Sequence, residues 1–114
     1  VQHGMQILMD FYHQDILSLE TIVQKTSHNV ANRFQVKERG YIREGYYADL
    51  AVLDIDKPYT VSNDNILYKC GWSPFNGHTF QSSIFMTIVN GNIAFTDGQV
   101  AEDLPFGMQI EFDR

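Results

Sequence analysis

Apolar residues recur with helical spacing in the first third of the chain and with strand-like spacing after it. Ile7, Leu8, Phe11 and Tyr12 form an i, i+1, i+4, i+5 stripe. That stripe predicts an amphipathic helix, closed by His13-Gln14-Asp15. Ser18 is placed to cap a second helix, since its hydroxyl can accept an otherwise orphan backbone N–H of the first turn. Glu20 in that turn suits the helix dipole, and Leu19, Ile22 and Val23 supply a buried stripe. Asn29 is placed to cap a third, short helix that carries Val30, Ala31 and Phe34 inward.

From Gly40 the period changes. Asp49-Leu50-Ala51-Val52-Leu53-Asp54 is apolar on both faces, which predicts a strand covered on both sides, with Gly45 supplying a turn before it. Pro58 closes that run, and Tyr59-Thr60-Val61 reads as a short strand. Residues 63–81, punctuated by Gly71, Pro74 and Gly77, read as an ordered loop packed by Trp72, Phe75 and Phe80. Ile84-Phe85-Met86-Thr87-Ile88-Val89 has the β-branched and aromatic content of a strand. Asn90-Gly91 offers the left-handed conformations of a type I′ hairpin turn, Asn92-Ile93-Ala94-Phe95-Thr96 returns, and Asp97-Gly98 turns again. Helices come first and an antiparallel sheet follows.

Composition narrows the function classes. The chain has 114 residues, a formal net charge of −6, 44% hydrophobic and 19% charged residues. That is enough for one core, made bulky by 8 Phe, 6 Tyr and 1 Trp. The acidic balance leaves no basic patch for a phosphate backbone, so no nucleic-acid partner is expected. The single cysteine, Cys70, precludes an internal disulfide and fits a reducing, cytoplasmic setting. Apolar runs such as Ile84-Phe85-Met86 are far short of the roughly 20 residues a membrane helix needs. No basic-then-apolar leader is visible, and the opening Val1-Gln2-His3-Gly4, without an initiator Met, predicts a piece cut from a longer protein.

The candidate chemistry is thin. His3, His13, His28 and His78 form no H-x-H, no H-E-x-x-H and no Cys/His cluster, and they read as solvated or capping histidines. Cys70 before Gly71-Trp72 lacks a histidine at a diagnostic offset and reads as a structural thiol against aromatics. Ser73 before Pro74 is not a G-x-S-x-G elbow, and the glycines build no phosphate loop. Glu102 and Asp103 fit either a solvated turn or an acid/base pair. Trp72, Phe75 and Phe80 fit either a binding platform or a hydrophobic cluster within the loop. No catalytic, cofactor-binding or metal-ligating residue is assigned on these grounds.

Three segments carry a resemblance. Leu17-Ser18-Leu19-Glu20-Thr21-Ile22-Val23, followed by Ser27-His28-Asn29-Val30-Ala31-Asn32-Arg33-Phe34, resembles the end of an amidohydrolase-superfamily barrel. Gly40-Tyr41-Ile42-Arg43-Glu44-Gly45-Tyr46-Tyr47-Ala48-Asp49-Leu50-Ala51-Val52-Leu53-Asp54 is similar to that superfamily's G-x-I-x-x-G-x-x-A-D-L-x-V-x-D run. Lys69-Cys70-Gly71-Trp72-Ser73-Pro74-Phe75-Asn76-Gly77 resembles the W-S-P-F-x-G loop of dihydroorotases, with Thr87-Ile88-Val89-Asn90-Gly91 following as it does there. Two positions depart from the pattern: Val30 stands where Pro is usual, and Asn76 where Glu is usual, which removes a charge.

The resemblance implies an α+β fragment. Residues 1–34 would be the terminal helices of a (β/α)8 barrel, and residues 35–114 a small antiparallel β segment of the C-terminal composite domain. It implies a parent hydrolase of cyclic amides that interconverts dihydroorotate and N-carbamoyl-aspartate in pyrimidine biosynthesis, with zinc at the strand ends. An allantoinase or hydantoinase parent is the alternative, as is a metal-free homologue that scaffolds a transcarbamoylase. None of the family's ligands maps onto this sequence, so the fragment is expected to be inactive and to bind no catalytic metal. Its helical stripe at Ile7, Leu8, Phe11 and Tyr12 would face the missing barrel, and self-association through that face is expected.

Overall fold

The computed structural model describes residues 1–103 and 105–114. It is an α+β arrangement: helices first, then a two-stranded and a four-stranded antiparallel sheet. Helix α1, Gly4–His13, stops where Asp15 takes a left-handed conformation, as the polar run at 13–15 predicts. Its buried side is the one opposite the predicted stripe. Gln6 and Met9 are buried, with His3 just before them, whereas Phe11 is 38% exposed and Ile7, Leu8 and Tyr12 are only half-buried. At 100° per residue, His3, Gln6, Asp10 and His13 share one side of the helix, and Ile7, Leu8 and Phe11 the other.

Helix α2, Leu19–Val23, begins as expected: extended Ser18 accepts the Thr21 N–H at 3.1 Å. The predicted third helix is not separate. α2 runs through a π-helical turn, Gln24–His28, into α3, Asn29–Phe34, with helical backbone at His28 and Asn29. Asn29 therefore caps nothing, and Val30 lies inside a continuous helix. Only Ile22 and Ala31 are buried along it; Val23, Val30 and Phe34 are exposed, against the expectation that they point inward. The reason lies at Gly40, whose backbone at φ +83° lies against the π-turn and α3. A Cβ there would stand 2.5 Å from the Ala31 Cβ and 3.1 Å from the Ser27 carbonyl oxygen. The chain returns across the Ala31 side of α3, which leaves the larger side chains facing away.

Strand β1 is Leu50–Asp54, β2 Tyr59–Thr60, β3 Thr79–Phe80, β4 Ser83–Val89, β5 Asn92–Thr96 and β6 Gln99–Val100. The four-stranded sheet has the order β1-β4-β5-β6, antiparallel throughout. Both predicted tight turns are present, with positive φ at Asn90, Gly91, Asp97 and Gly98. The expectation of a doubly covered β1 is overturned. The strand lies at the sheet's edge, paired among the described residues with β4 alone, and Ala51 and Val52, on its two faces, are exposed. An apolar run shows that a strand can be covered on two sides; the covering layer has to come from elsewhere in the fold.

Asp49 anchors this sheet in a way the local pattern does not show. One carboxylate oxygen accepts the Asn90 N–H at 2.9 Å, tying the start of β1 to the β4–β5 turn, and the other pairs with Arg39. Arg39 also lies over the Tyr47 ring, 4.2 Å from its centroid. The C-terminal tail closes back on the chain after α3: Lys37 N–H donates to the Glu111 carbonyl and Asp113 N–H to the Gln35 carbonyl, each at 2.9 Å.

Candidate functional site

The Lys69–Gly77 loop sits in a segment, residues 59–80, that α1 holds along its length. Strands β2 and β3 close the base of the segment, with Tyr59 opposite Phe80 and Thr60 opposite Thr79. Beyond them, Val61 N–H donates to the His78 carbonyl at 2.9 Å and Gly77 N–H to the Val61 carbonyl at 2.8 Å. Ser73 is buried, and its hydroxyl accepts the Phe75 N–H at 3.1 Å, a local turn that fixes the Ser73-Pro74-Phe75 corner. Phe80 is fully buried and Phe75 half-buried, their centroids 5.6 Å apart. Trp72 departs from its predicted packing role at 63% exposed. Cys70 is exposed too, its thiol 3.5 Å from the Trp72 carbonyl oxygen, so it is not a structural thiol among aromatics. Asn76 is exposed.

Helix α1 meets this segment with side chains that bind backbone. The Gln2 amide brackets the loop, donating to the Asn65 carbonyl and accepting from the Leu67 N–H, both at 2.8 Å. Gln6 donates to the Ser82 carbonyl at 3.3 Å. Asp10 accepts the Gln81 N–H at 2.9 Å, and its other oxygen is 3.3 Å from His78 Nε2. His13 Nε2 lies 2.9 Å from the Ile55 carbonyl oxygen and 3.0 Å from Ser82 Oγ. The fully buried Ser82 hydroxyl donates to that same carbonyl at 2.6 Å. With its proton committed there, Ser82 is not poised as a nucleophile, and His13 Nε2 serves it as a donor.

His3 completes the series. It is 3% exposed, stacked on Phe80 with centroids 5.6 Å apart, with Phe75, Tyr68 and Tyr59 around it at 5.9, 6.4 and 6.3 Å. Burial holds its pKa below the usual histidine value. Burial likewise raises the Tyr59 phenol above its usual value.

Of the four histidines His3 departs from the expected solvated or capping role, whereas His13 and His78 are exposed but also hydrogen-bonded. His3 is caged by aromatics, His13 and His78 are hydrogen-bonded at the α1 junction, and His28 stacks on Tyr41 with centroids 4.1 Å apart. Gln2 and Asp10, which bind the 59–80 segment, and Gln6 and Ser82 beside it, are absent from the sequence-based candidates. A usable signal was available: His3, Gln6, Asp10 and His13 recur at i, i+3, i+7 and i+10, a helical stripe made of polar residues. Glu102 and Asp103 are both exposed in a turn. Among the described residues no three His, Cys, Asp or Glu side chains come together as metal ligands. No described helix is long and apolar enough to cross a membrane.

The chain resembles known proteins along most of its length. The chain is 33% identical over 104 residues to an allantoinase of Desulfitobacterium hafniense, covering 91% of this chain and 23% of the relative. It is 34% identical over 94 residues to a dihydroorotase of Pyrococcus abyssi, covering 82% of this chain and 23% of the relative. Among solved structures, the L-hydantoinase (dihydropyrimidinase) of Arthrobacter aurescens matches with a TM-score of 0.75 and 27% identity, over 87% of this chain and 22% of that one. The chain therefore spans less than a quarter of the length of the proteins it resembles. Residues 9–95 match the amidohydrolase family, a span that takes in α2 and α3, the anchor at Asp49, the held loop and the β4–β5 hairpin, and the chain belongs to that family.

Proposed function

We propose that this chain is the C-terminal part of a dihydroorotase, a metal-dependent cyclic amidohydrolase of the cytoplasm that interconverts dihydroorotate and N-carbamoyl-aspartate. The observation that carries this reading is the Lys69–Gly77 loop. It combines the W-S-P-F-x-G run with a backbone pinned from two sides, by Gln2 at Asn65 and Leu67 and by Asp10 at Gln81. A dihydroorotase relative 34% identical over 82% of the chain supports it. In this reading the metal, zinc, and its ligands belong to the remainder of the protein, and residues 1–34 are the terminal helices of its barrel. The chain's own part is structural: it seats the last helices and presents the loop.

An allantoinase or hydantoinase parent is the second reading, favoured by the allantoinase relative aligned over 91% of the chain and by the hydantoinase structure. The deciding experiment is expression of the longer reading frame that contains this chain, with turnover of dihydroorotate, allantoin and hydantoin measured beside metal content. Dihydroorotate turnover by the metal-loaded longer protein, and none by the isolated chain, is the expected result. Turnover of allantoin or hydantoin alone would establish the second reading, and a metal-free, inactive product would sink both.

A further inference from the structure

Gln2, just before α1, and Asp10, within it, bind the 59–80 segment at Asn65, Leu67 and His78, while Gln6 and His13 bind its flanks at Ser82 and Ile55; His3 grips the segment as a ring. Its Nε2 is buried and has no hydrogen-bond partner among the described residues. The ring lies between Phe80 and the edges of Phe75 and Tyr68, with Tyr59 tilted against it. A neutral imidazole suits such a pocket. An imidazolium does not, because it brings a full charge and a second N–H to a place with no acceptor for Nε2. The face of Phe80 offsets part of that cost, as an aromatic face does for any cation. Burying an unpaired charge costs more than one such contact returns.

The neighbouring groups do not supply the missing counter-charge. Tyr59, from β2, and Tyr68, from the loop, are phenols, uncharged in neutral and acid solution. Beyond Phe80 stands His78, its ring 4.5 Å from the Phe80 centroid and its Nε2 against Asp10. His78 Nε2 has the Asp10 carboxylate beside it and His13 Nε2 the Ile55 carbonyl, whereas His3 Nε2 has no such partner among the described residues.

We propose that His3 is an acid-sensitive clasp: on taking up a proton its imidazole leaves the Tyr59, Tyr68, Phe75 and Phe80 cage and releases the 59–80 segment from α1. The Trp72 loop is thereby held at neutral pH and freed in acid. The sign follows from the linkage of the proton to the open form. Above the ordinary histidine value of about 6.5 neither form is charged at His3, and the clasp is closed. Below it the open form takes the proton first. The open-to-closed ratio then rises by about tenfold per pH unit until the caged ring is protonated as well.

Amide hydrogen exchange on the protein that carries this chain tests the clasp. The Val61 and Gly77 amides report on it, because both are hydrogen-bonded within the segment. After correction for intrinsic rates, their protection should be level near pH 7 and fall about tenfold per unit on acidification past about 6. Protection of the Ile88 and Ile93 amides, in β4 and β5, should stay level. In His3→Phe, which keeps a ring in the cage but binds no proton, the Val61 and Gly77 protection should stay level too. Unchanged protection in the unsubstituted protein, or an equal fall in His3→Phe, overturns the proposal. Should His3→Phe fail to fold, the His3 Cε1 resonance decides: a titration midpoint below that of free histidine supports the clasp, and one at or above it overturns it.

Discussion

Two regions of this protein are built on different terms. Where α1 meets the 59–80 segment, His3, Gln6, Met9, Val61, Ser73, Phe80 and Ser82 are all buried. Across the β1-β4-β5-β6 sheet, only Ser83 and Ala94 are, although the strands hold Val52, Phe85, Ile93 and Val100. The junction combines a small apolar core with side chains that bind loop backbone. The sheet depends on its strand ladders, two tight turns and the Asp49 anchor, and leaves much of its apolar surface open. The difference teaches that stability within this chain is concentrated at the loop-holding junction.

The comparison is broken most directly at Phe80, which is 1% exposed and packs on His3, Phe75 and His78. Phe80→Ala should cost about 3–5 kcal/mol in chemical denaturation, since a large buried ring leaves both lost transfer energy and a cavity. Its Gly77 and Val61 amides should also lose protection before those of β4. If global stability falls by less than about 1 kcal/mol, the junction is not the main source of stability.

Asp49→Ala should come next, and it tests the sheet at its strongest polar point. The substitution removes the acceptor of the Asn90 N–H and leaves Arg39, whose side chain is only 11% exposed, without its carboxylate. Losing hydrogen bonds of that charged kind costs about 1.5–3 kcal/mol. Denaturation should show it, and β1 amides should exchange faster while those of the 59–80 segment hold. Equal loosening of both regions would mean they are not separately built.

Ser82→Ala sharpens the junction's polar half. The hydroxyl bridges His13 and the Ile55 carbonyl, but His13 Nε2 remains 2.9 Å from that carbonyl without it. With the carbonyl still satisfied, the expected loss is about 1 kcal/mol, toward the middle of the range for a single hydrogen bond. A loss near that of Phe80→Ala would show that the hydrogen bonds, and not the aromatic core, dominate the junction.

The same division explains what could be read from the sequence. Ser18, Asn90-Gly91 and Asp97-Gly98 were legible because each acts within a few residues of itself. The apolar stripe of α1 is legible, but its buried polar side is not, because the partners of Gln6, Asp10 and His13 lie 76, 71 and 42 residues away. Asp49 reads in the sequence only as part of the A-D-L run, because the N–H it accepts belongs to Asn90, 41 residues on. Trp72 and Phe80 have equal hydrophobic claims in a sequence, and only the β2–β3 pairing decides which ring goes in. The separation of α3 from α2 failed because a π-turn leaves no break for a cap to mark.

Ile93→Ala is the smallest expected effect and the sharpest check on the sheet. Ile93 is 48% exposed and lies opposite Ile88 on β4. Full burial of such a side chain is worth about 1.5–3 kcal/mol, so removing one that keeps half its surface in water should cost about 1 kcal/mol or less. The β-branch adds a preference for the strand worth a few tenths of that, which alanine gives up. Met9→Ala, at a side chain with no exposure, is the matched control and should cost two to three times as much, about 2–3 kcal/mol. Should the two substitutions cost the same in denaturation of the isolated chain, the sheet would have to be covered there, and the contrast between the two regions would fail. In the longer protein, an Ile93→Ala cost rising toward that of Met9→Ala would instead place a layer of the remaining chain on that face of the sheet.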